Sequence, residues 1–241
     1  MLEAFSAGVG GHDGHPALPD GVRARTPEDF LLLRGYANRL NADVVALQEI
    51  DGEAAAARLF DPSSYTIHLT DEADVQRPGF AIRRTLRVTR NPDLADLDLR
   101  PRARYSLRRG ADVTVETQAG ARLRLLSVHL DAGCREEPLG PNAPRDCQGL
   151  ARQAAIIARW VEARRREGVA FVVLGDFNRR MHDSDDFLRT VKGGERLRRP
   201  TAGLSAPCWA TARGGWPFIS HLLLGGAARE WVVPDSFAVL V

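Results

Sequence analysis

Four residues in this chain have types suited to phosphate chemistry, and each stands at or near the end of an apolar run. Glu49 closes Val44-Val45-Ala46-Leu47-Gln48-Glu49, and His129 lies in Ser127-Val128-His129-Leu130. Asp176 and Asn178 end Leu174-Gly175-Asp176-Phe177-Asn178. A carboxylate such as Glu49 suits Mg²⁺ or Mn²⁺, because hard cations take oxygen ligands. Asp176 has the chemistry to orient and deprotonate a water, with Asn178 fixing its geometry. His129 has the chemistry to donate a hydrogen bond to a phosphoryl oxygen as negative charge builds there. Taken singly, each has a plainer reading: a Glu after a strand is a solvated end, and a lone strand His is a hydrogen-bonded structural group. If the three strands lie side by side with like ends aligned, the four side chains converge on one rim.

The elements that must position them follow from local pattern. Thr26-Pro27-Glu28-Asp29 is a helix start, with Thr26 as N-cap and Pro27 at the first position. That helix is expected to turn Phe30, Leu33, Tyr36, Ala37 and Leu40 inward. The apolar run 43–49 reads as a strand covered on both faces. A short helix is expected over 52–60, and short strands over 65–69, 79–84, 87–90, 102–107 and 112–116. Residues 122–130 form a further strand. Leu150, Ala154, Ile157, Trp160 and Val161 recur at helical spacing, with Gly168 closing that helix. Strands at 170–175 and 218–224 and a helix at 186–191 complete an α/β reading of 1–241 as one domain.

Bulk properties exclude some roles. The net charge of +2 is too small to indicate nucleic-acid binding by itself, and Lys192 is the only lysine beside many arginines. Arginine is the residue of choice for bidentate phosphate contacts, so Arg83, Arg84, Arg179 and Arg180 are candidates to meet a substrate phosphate, or else a solvated face. No apolar run is long enough to span a membrane, and the first residues lack the pattern of a signal peptide. His12, Asp13 and His15 cluster in a glycine-rich stretch with no strand to fix them as ligands. Cys134 and Cys147 flank a Pro/Gly-rich segment: they form either a disulfide, implying an oxidising, extracytoplasmic compartment, or two reduced thiols. Cys208 is left over in both cases. Trp209 and Trp216 are either base-stacking or core aromatics.

The three runs, in this order and spacing, resemble the signatures of the endonuclease/exonuclease/phosphatase superfamily, and Gly-Asp-Phe-Asn (175–178) is the most specific of them. The resemblance covers roughly residues 40 to 225. It implies a four-layer α/β/β/α sandwich of two mixed, mainly antiparallel sheets. It also implies that Glu49 holds Mg²⁺ or Mn²⁺, that Asp176 and Asn178 position the attacking water, and that His129 binds the scissile phosphate. The sequence departs from the family in three places. The family's opening Trp-Asn would fall at or before Met1-Leu2-Glu3. Its Ile-Asp-His stretch reads Ile219-Ser220-His221, with Ser220 replacing the carboxylate and His221 at a structural position. Its final Ser-Asp-His is not found. The first and last strands are therefore expected to be missing. Three functions follow from the resemblance: a nuclease-type phosphodiesterase, expected as a monomer; a non-catalytic relative that binds a phosphorylated ligand; or a small-molecule or lipid phosphatase.

Overall fold

The apolar runs of the central strands are covered on both faces, with alternate residues packing against helices on one side and against the opposite sheet on the other. The computed structural model describes residues 25–103, 106–206 and 216–239, with backbone only at Ala206 and Trp216. In chain order it holds α1 (Pro27–Leu40), β1 (Val44–Ile50), α2 (Glu53–Ala57), β2 (Tyr65–Leu69), β3 (Arg77–Arg83) and β4 (Arg87–Arg90). Then follow β5 (Ala111–Glu116), β6 (Arg122–His129), α3 (Arg145–Glu167), β7 (Phe171–Asp176) and α4 (Asp186–Lys192). The last elements are β8 (Ser205–Ala206), β9 (Trp216–Pro217) and β10 (Ser220–Gly225).

Among the described residues these strands make a three-stranded sheet ordered β1-β3-β2, a five-stranded sheet ordered β10-β7-β6-β5-β4, and a small β8-β9 ribbon. Every neighbouring pair is antiparallel except β6 and β7, which run parallel because α3 carries the chain across between them. Leu47, Tyr65, Leu69 and Ala81 pack with Phe30 of α1 and Ala55 and Ala56 of α2 on the outside of the smaller sheet. Leu126, Val128, Phe171 and Val173 pack with Leu150, Ile157 and Trp160 of α3 on the outside of the larger one. The intervening positions, among them Phe80, Ile82, Val113, Leu125 and Val172, fill the space between the two sheets. The layers are thus α/β/β/α, as the resemblance implied.

The helix ends are set by the expected residues. Thr26 accepts from the Asp29 amide at 3.2 Å while Asp29 accepts from the Thr26 amide at 2.8 Å, a reciprocal cap. Gly168 ends α3 at φ +67°, a conformation that suits glycine. Two expectations fail. Tyr36 and Leu40 are 43% and 49% exposed, so α1 buries only the Phe30, Leu33, Ala37 side; with just a five-residue helix and three strands beneath it, the covered face is narrow. The strand expected at 102–107 does not form among the described residues of that segment. There Asp98 accepts from the backbone amides of Arg100 and Leu107, which folds the segment back as a loop.

Cys134 and Cys147 form a disulfide with Cα atoms 4.9 Å apart, tying the loop after β6 to the first turn of α3. This decides between the two readings of that pair. Residues 1–24, with His12, Asp13, His15 and the segment where the family's Asn would fall, lie outside the described residues. So do Cys208 and Trp209.

Candidate metal and phosphate site

His129, Asp176 and Ser220 form one row across the larger sheet: His129 pairs with Asp176 in the β6–β7 register and Ser220 pairs with Asp176 in the β10–β7 register. Each lies on the strand face that looks toward the smaller sheet, because Leu125, Val172 and Leu224 of the same alternation fill the space between the sheets. Asp176 and Asn178 are held by the chain itself. The Asn178 amide donates to Asp176 Oδ1 at 2.8 Å, the Asn178 side chain donates to the Leu130 carbonyl at 3.0 Å, and the Leu130 amide donates to the Asp176 carbonyl at 2.9 Å. Asn178 sits at φ +52°, a region Asn tolerates better than most residues.

Glu49 reaches this row from the opposite sheet by way of a bulge. Along β1, Val44 and Ala46 face the larger sheet while Val45 and Leu47 face the helices. Strict alternation would send Gln48 inward and Glu49 out toward the helices. Between the pairs Leu47–Gly79 and Ile50–Arg77, however, β1 advances three residues while β3 advances two. The extra residue puts Glu49 at φ +58° and turns its carboxylate back between the sheets. Glu49 Oε1 lies 3.8 Å from His129 Nε2 and accepts from Gln76 Nε2 at 3.2 Å. A bulky residue in the left-handed region is a costly conformation of the sort that clusters at functional sites.

Around this row carboxylates gather about one arginine and a neutral imidazole. Burial and then the Arg108 cation hold the His129 imidazole down to about 3, so it is neutral at ordinary pH. Its Nδ1 is buried without a hydrogen bond. Burial raises the Asp176 carboxyl above the usual carboxylate range, against the lowering pull of the Asn178 amide and Arg108. Burial likewise raises Glu72 and Asp131, which surround Arg108 together with Asp74 and Glu49. Arg108 donates to the Leu130 carbonyl at 3.1 Å and leaves its Nε without a partner. Arg100 stands 3.8 Å from Asp131 at the rim.

The donor set fits a hard divalent cation. Glu49 supplies carboxylate oxygen on the site's inner wall, and no cysteine thiolate competes among the described residues, since Cys134 and Cys147 are spent on their disulfide. Glu49, His129, Asp176 and Asn178 are therefore brought together.

The four candidate arginines are not. Arg83 lies at the far end of β3, where its amide bonds the Asp43 carbonyl and its side chain contacts Asn41, Asp43 and the Tyr65 ring. That is six residues back from Glu49, roughly 20 Å at strand rise. Arg84 is beside it, donating to the Pro62 carbonyl at 2.7 Å. Arg179 is 1% exposed and fully engaged by Asp185 and by the carbonyls of Cys134 and Glu137. Arg180 is buried and pairs with Glu136 at 3.0 Å. An arginine adjacent in sequence to a motif is not adjacent to the site when strand alternation and burial point it elsewhere. His221, also buried, donates from Nε2 to the Arg179 carbonyl at 2.9 Å, and its Nδ1 accepts from the Thr201 hydroxyl at 2.7 Å.

Sequence pattern alone missed Arg108, Gln76 and Asp131. Asp131 carried a signal, two residues beyond His129 on the same rim. Arg108 and Gln76 carried none, since both come from loop segments that approach the site only in three dimensions.

A family model described as the Endonuclease/Exonuclease/phosphatase family matches residues 19–229. No curated protein matches the chain in sequence. Among solved structures, the human Nocturnin catalytic domain with bound sulfate anion is similar at TM-score 0.59 and 12% identity, covering 84% of this chain and 75% of that one. D. rerio TDP2 complexed with single strand DNA product has TM-score 0.51 and 17% identity, covering 85% and 78%. The Bacteroides thetaiotaomicron mannosyl-6-phosphatase Bt3783 has TM-score 0.54 and 11% identity, covering 82% and 76%.

Proposed function

This chain belongs to the Endonuclease/Exonuclease/phosphatase family, whose members are hydrolytic phosphoesterases, and we propose that it hydrolyses phosphodiester bonds in nucleic acid with Mg²⁺ or Mn²⁺. The observation that carries the proposal is the meeting of Glu49 with the His129–Asp176 row across the gap between sheets, 3.8 Å from carboxylate to imidazole.

In this reading Glu49 would hold the cation, which when bound would supply Lewis-acid stabilisation of the phosphate's developing charge. Asp176 orients the attacking water and takes its proton. Burial raises its proton affinity, and the Asn178 amide fixes its orientation. His129, kept neutral, donates one hydrogen bond to a non-bridging phosphoryl oxygen. Arg108 offers its unsatisfied guanidinium edge to the same phosphate. A polymeric substrate is preferred to a phosphomonoester on the likeness to the TDP2 structure that holds a single-strand DNA product. The buried disulfide supports an oxidising compartment for the protein.

One observation favours a second reading, a catalytically impaired relative that binds a phosphorylated ligand: a hydroxyl, Ser220, stands beside Asp176 where the resemblance implies a carboxylate. Hydrolysis of supercoiled plasmid and of bis(p-nitrophenyl) phosphate, with Mg²⁺, Mn²⁺ or EDTA and an Asp176→Ala control, separates the two. The proposal expects metal-dependent cleavage of both substrates, reduced at least about 10²-fold in the control. Folded protein with no turnover above the control would establish the impaired relative.

A further inference from the structure

Each of the three motifs spends one residue on something other than chemistry, and those three residues meet. Gln48 precedes Glu49, Ser127 precedes His129 by two, and Gly175 precedes Asp176. Gln48 Nε2 donates to Ser127 Oγ at 3.1 Å, and Ser127 Oγ donates to the Leu47 carbonyl at 3.3 Å, so β1 and β6 are joined across the space between the sheets. Ser127 is fully buried. A Cβ at Gly175 would fall 2.2 Å from the Val128 carbonyl oxygen and 3.0 Å from Gln48 Nε2, and its φ is +132°. Glycine alone lets β7 approach this closely. Away from the site the gap is filled by apolar side chains such as Phe80, Ile82, Val113, Leu125 and Val172, whose attraction is non-directional.

We infer that Gln48, Ser127 and Gly175 form a polar clamp that sets the distance and register between the two sheets at the site, and so positions Glu49 against His129. It deepens the proposed function and rests on it. The clamp grips β1 at Leu47 and Gln48, immediately before the bulge at Glu49. Without it the bulge would be free to slide by a residue, which returns Glu49 to the helix side of the sheet. Stability does not require the pair. When both partners of a buried hydrogen bond are replaced by apolar groups of similar shape, the change is nearly neutral. Gln48 and Ser127 are therefore positioning residues rather than catalytic ones.

The test uses Gln48→Met, Ser127→Ala and the double variant in the full chain, with three readouts: Mn²⁺ affinity by calorimetry without substrate, kcat and KM on bis(p-nitrophenyl) phosphate, and thermal unfolding. Each single variant is expected to weaken Mn²⁺ binding about 10–100-fold, with kcat falling and KM little changed. The double variant should lose no more than the worse single one, because the two groups act as a unit, and it should unfold near the parent temperature. Unchanged Mn²⁺ affinity in the singles, or losses that multiply in the double variant, would overturn the clamp. If the parent itself neither binds Mn²⁺ nor turns over substrate, the proposed function fails and amide hydrogen exchange decides the clamp. Faster exchange at Glu49 and Ile50 in Gln48→Met supports it, and unchanged exchange overturns it.

Discussion

Arg108 and Arg179 are two arginines drawn into the protein near the same motif, and they are partnered in opposite ways. Arg179 has its guanidinium bonded to both oxygens of Asp185 and to two backbone carbonyls, all within 3.2 Å. Asp185 in turn accepts from the Phe187 and Leu188 amides at the start of α4. Arg108 has one carbonyl partner and an unpartnered Nε, amid carboxylates none of which it grips in a salt bridge among the described residues. Burial lowers its proton affinity, against the opposing pull of those carboxylates. A satisfied guanidinium has no donor left for a substrate; an unsatisfied one carries a desolvation cost that a phosphate would relieve. Arg179 thus serves the fold, and Arg108 is the arginine of the site.

The largest effect that would break this contrast is on stability. Arg179→Met leaves the Asp185 carboxylate buried without its cation, a loss of about 3–5 kcal/mol. Chemical denaturation should show it; a loss under 1 kcal/mol would mean Arg179 is not the structural member of the pair. Arg108→Met should do the reverse, lowering kcat/KM about 10²–10³-fold while denaturing near the parent midpoint. Steady-state kinetics on a phosphodiester, set beside the denaturation curve, tells these apart, and an unaltered kcat/KM would remove Arg108 from the site.

Replacing both Cys134 and Cys147 by Ser sharpens the comparison, because the Cys134 carbonyl holds Arg179. The bond closes a loop of sequence separation 13, and for a loop near this size the expected loss is about 3 kcal/mol. kcat per folded molecule should stay within about threefold of the parent, since Arg108 is held through Leu130 and not through the disulfide. A kinetic collapse in well-folded protein would show the two arginines to be coupled.

The smallest effect is pH-dependent. Burial depresses His221 to about 4 in the folded state, against about 6.5 for an unperturbed His. The unfolded chain therefore binds more protons than the folded one between those values. Stability present above pH 6.5 is lost as pH falls toward 4, roughly 2 kcal/mol of it by pH 5. Thermal midpoints measured from pH 7 to 5 should fall less steeply in His221→Gln than in the parent. Equal slopes would show that the neutral imidazole does not hold the Arg179 carbonyl in place.

Much of this is legible in the sequence alone. The Thr26 cap, the Gly168 stop, the three apolar strands and the four polar residues at their ends are local facts: capping, left-handed glycine and strand burial each depend on a few neighbouring residues. The three motifs also carried the family, and with it the sandwich. The reading failed where a residue's direction depends on something distant. Tyr36 and Leu40 share the apolar character of Phe30 and Ala37, but only the width of the layer beneath α1 decides which of them it covers. Arg83 and Arg84 end a strand correctly placed, yet the antiparallel pairing of β3 with β1 carries them to the end opposite Glu49. Arg179 stands one residue after Asn178, and burial turns it into the core.

The sequence by itself determined that Glu49, His129, Asp176 and Asn178 stand at or near the ends of apolar strands, because composition and spacing within a strand are written in the chain. Only the tertiary structure decided that Glu49 faces them. That depends on one extra residue in β1 relative to β3, and a register between strands separated in the chain by α2 and β2 has no local signal.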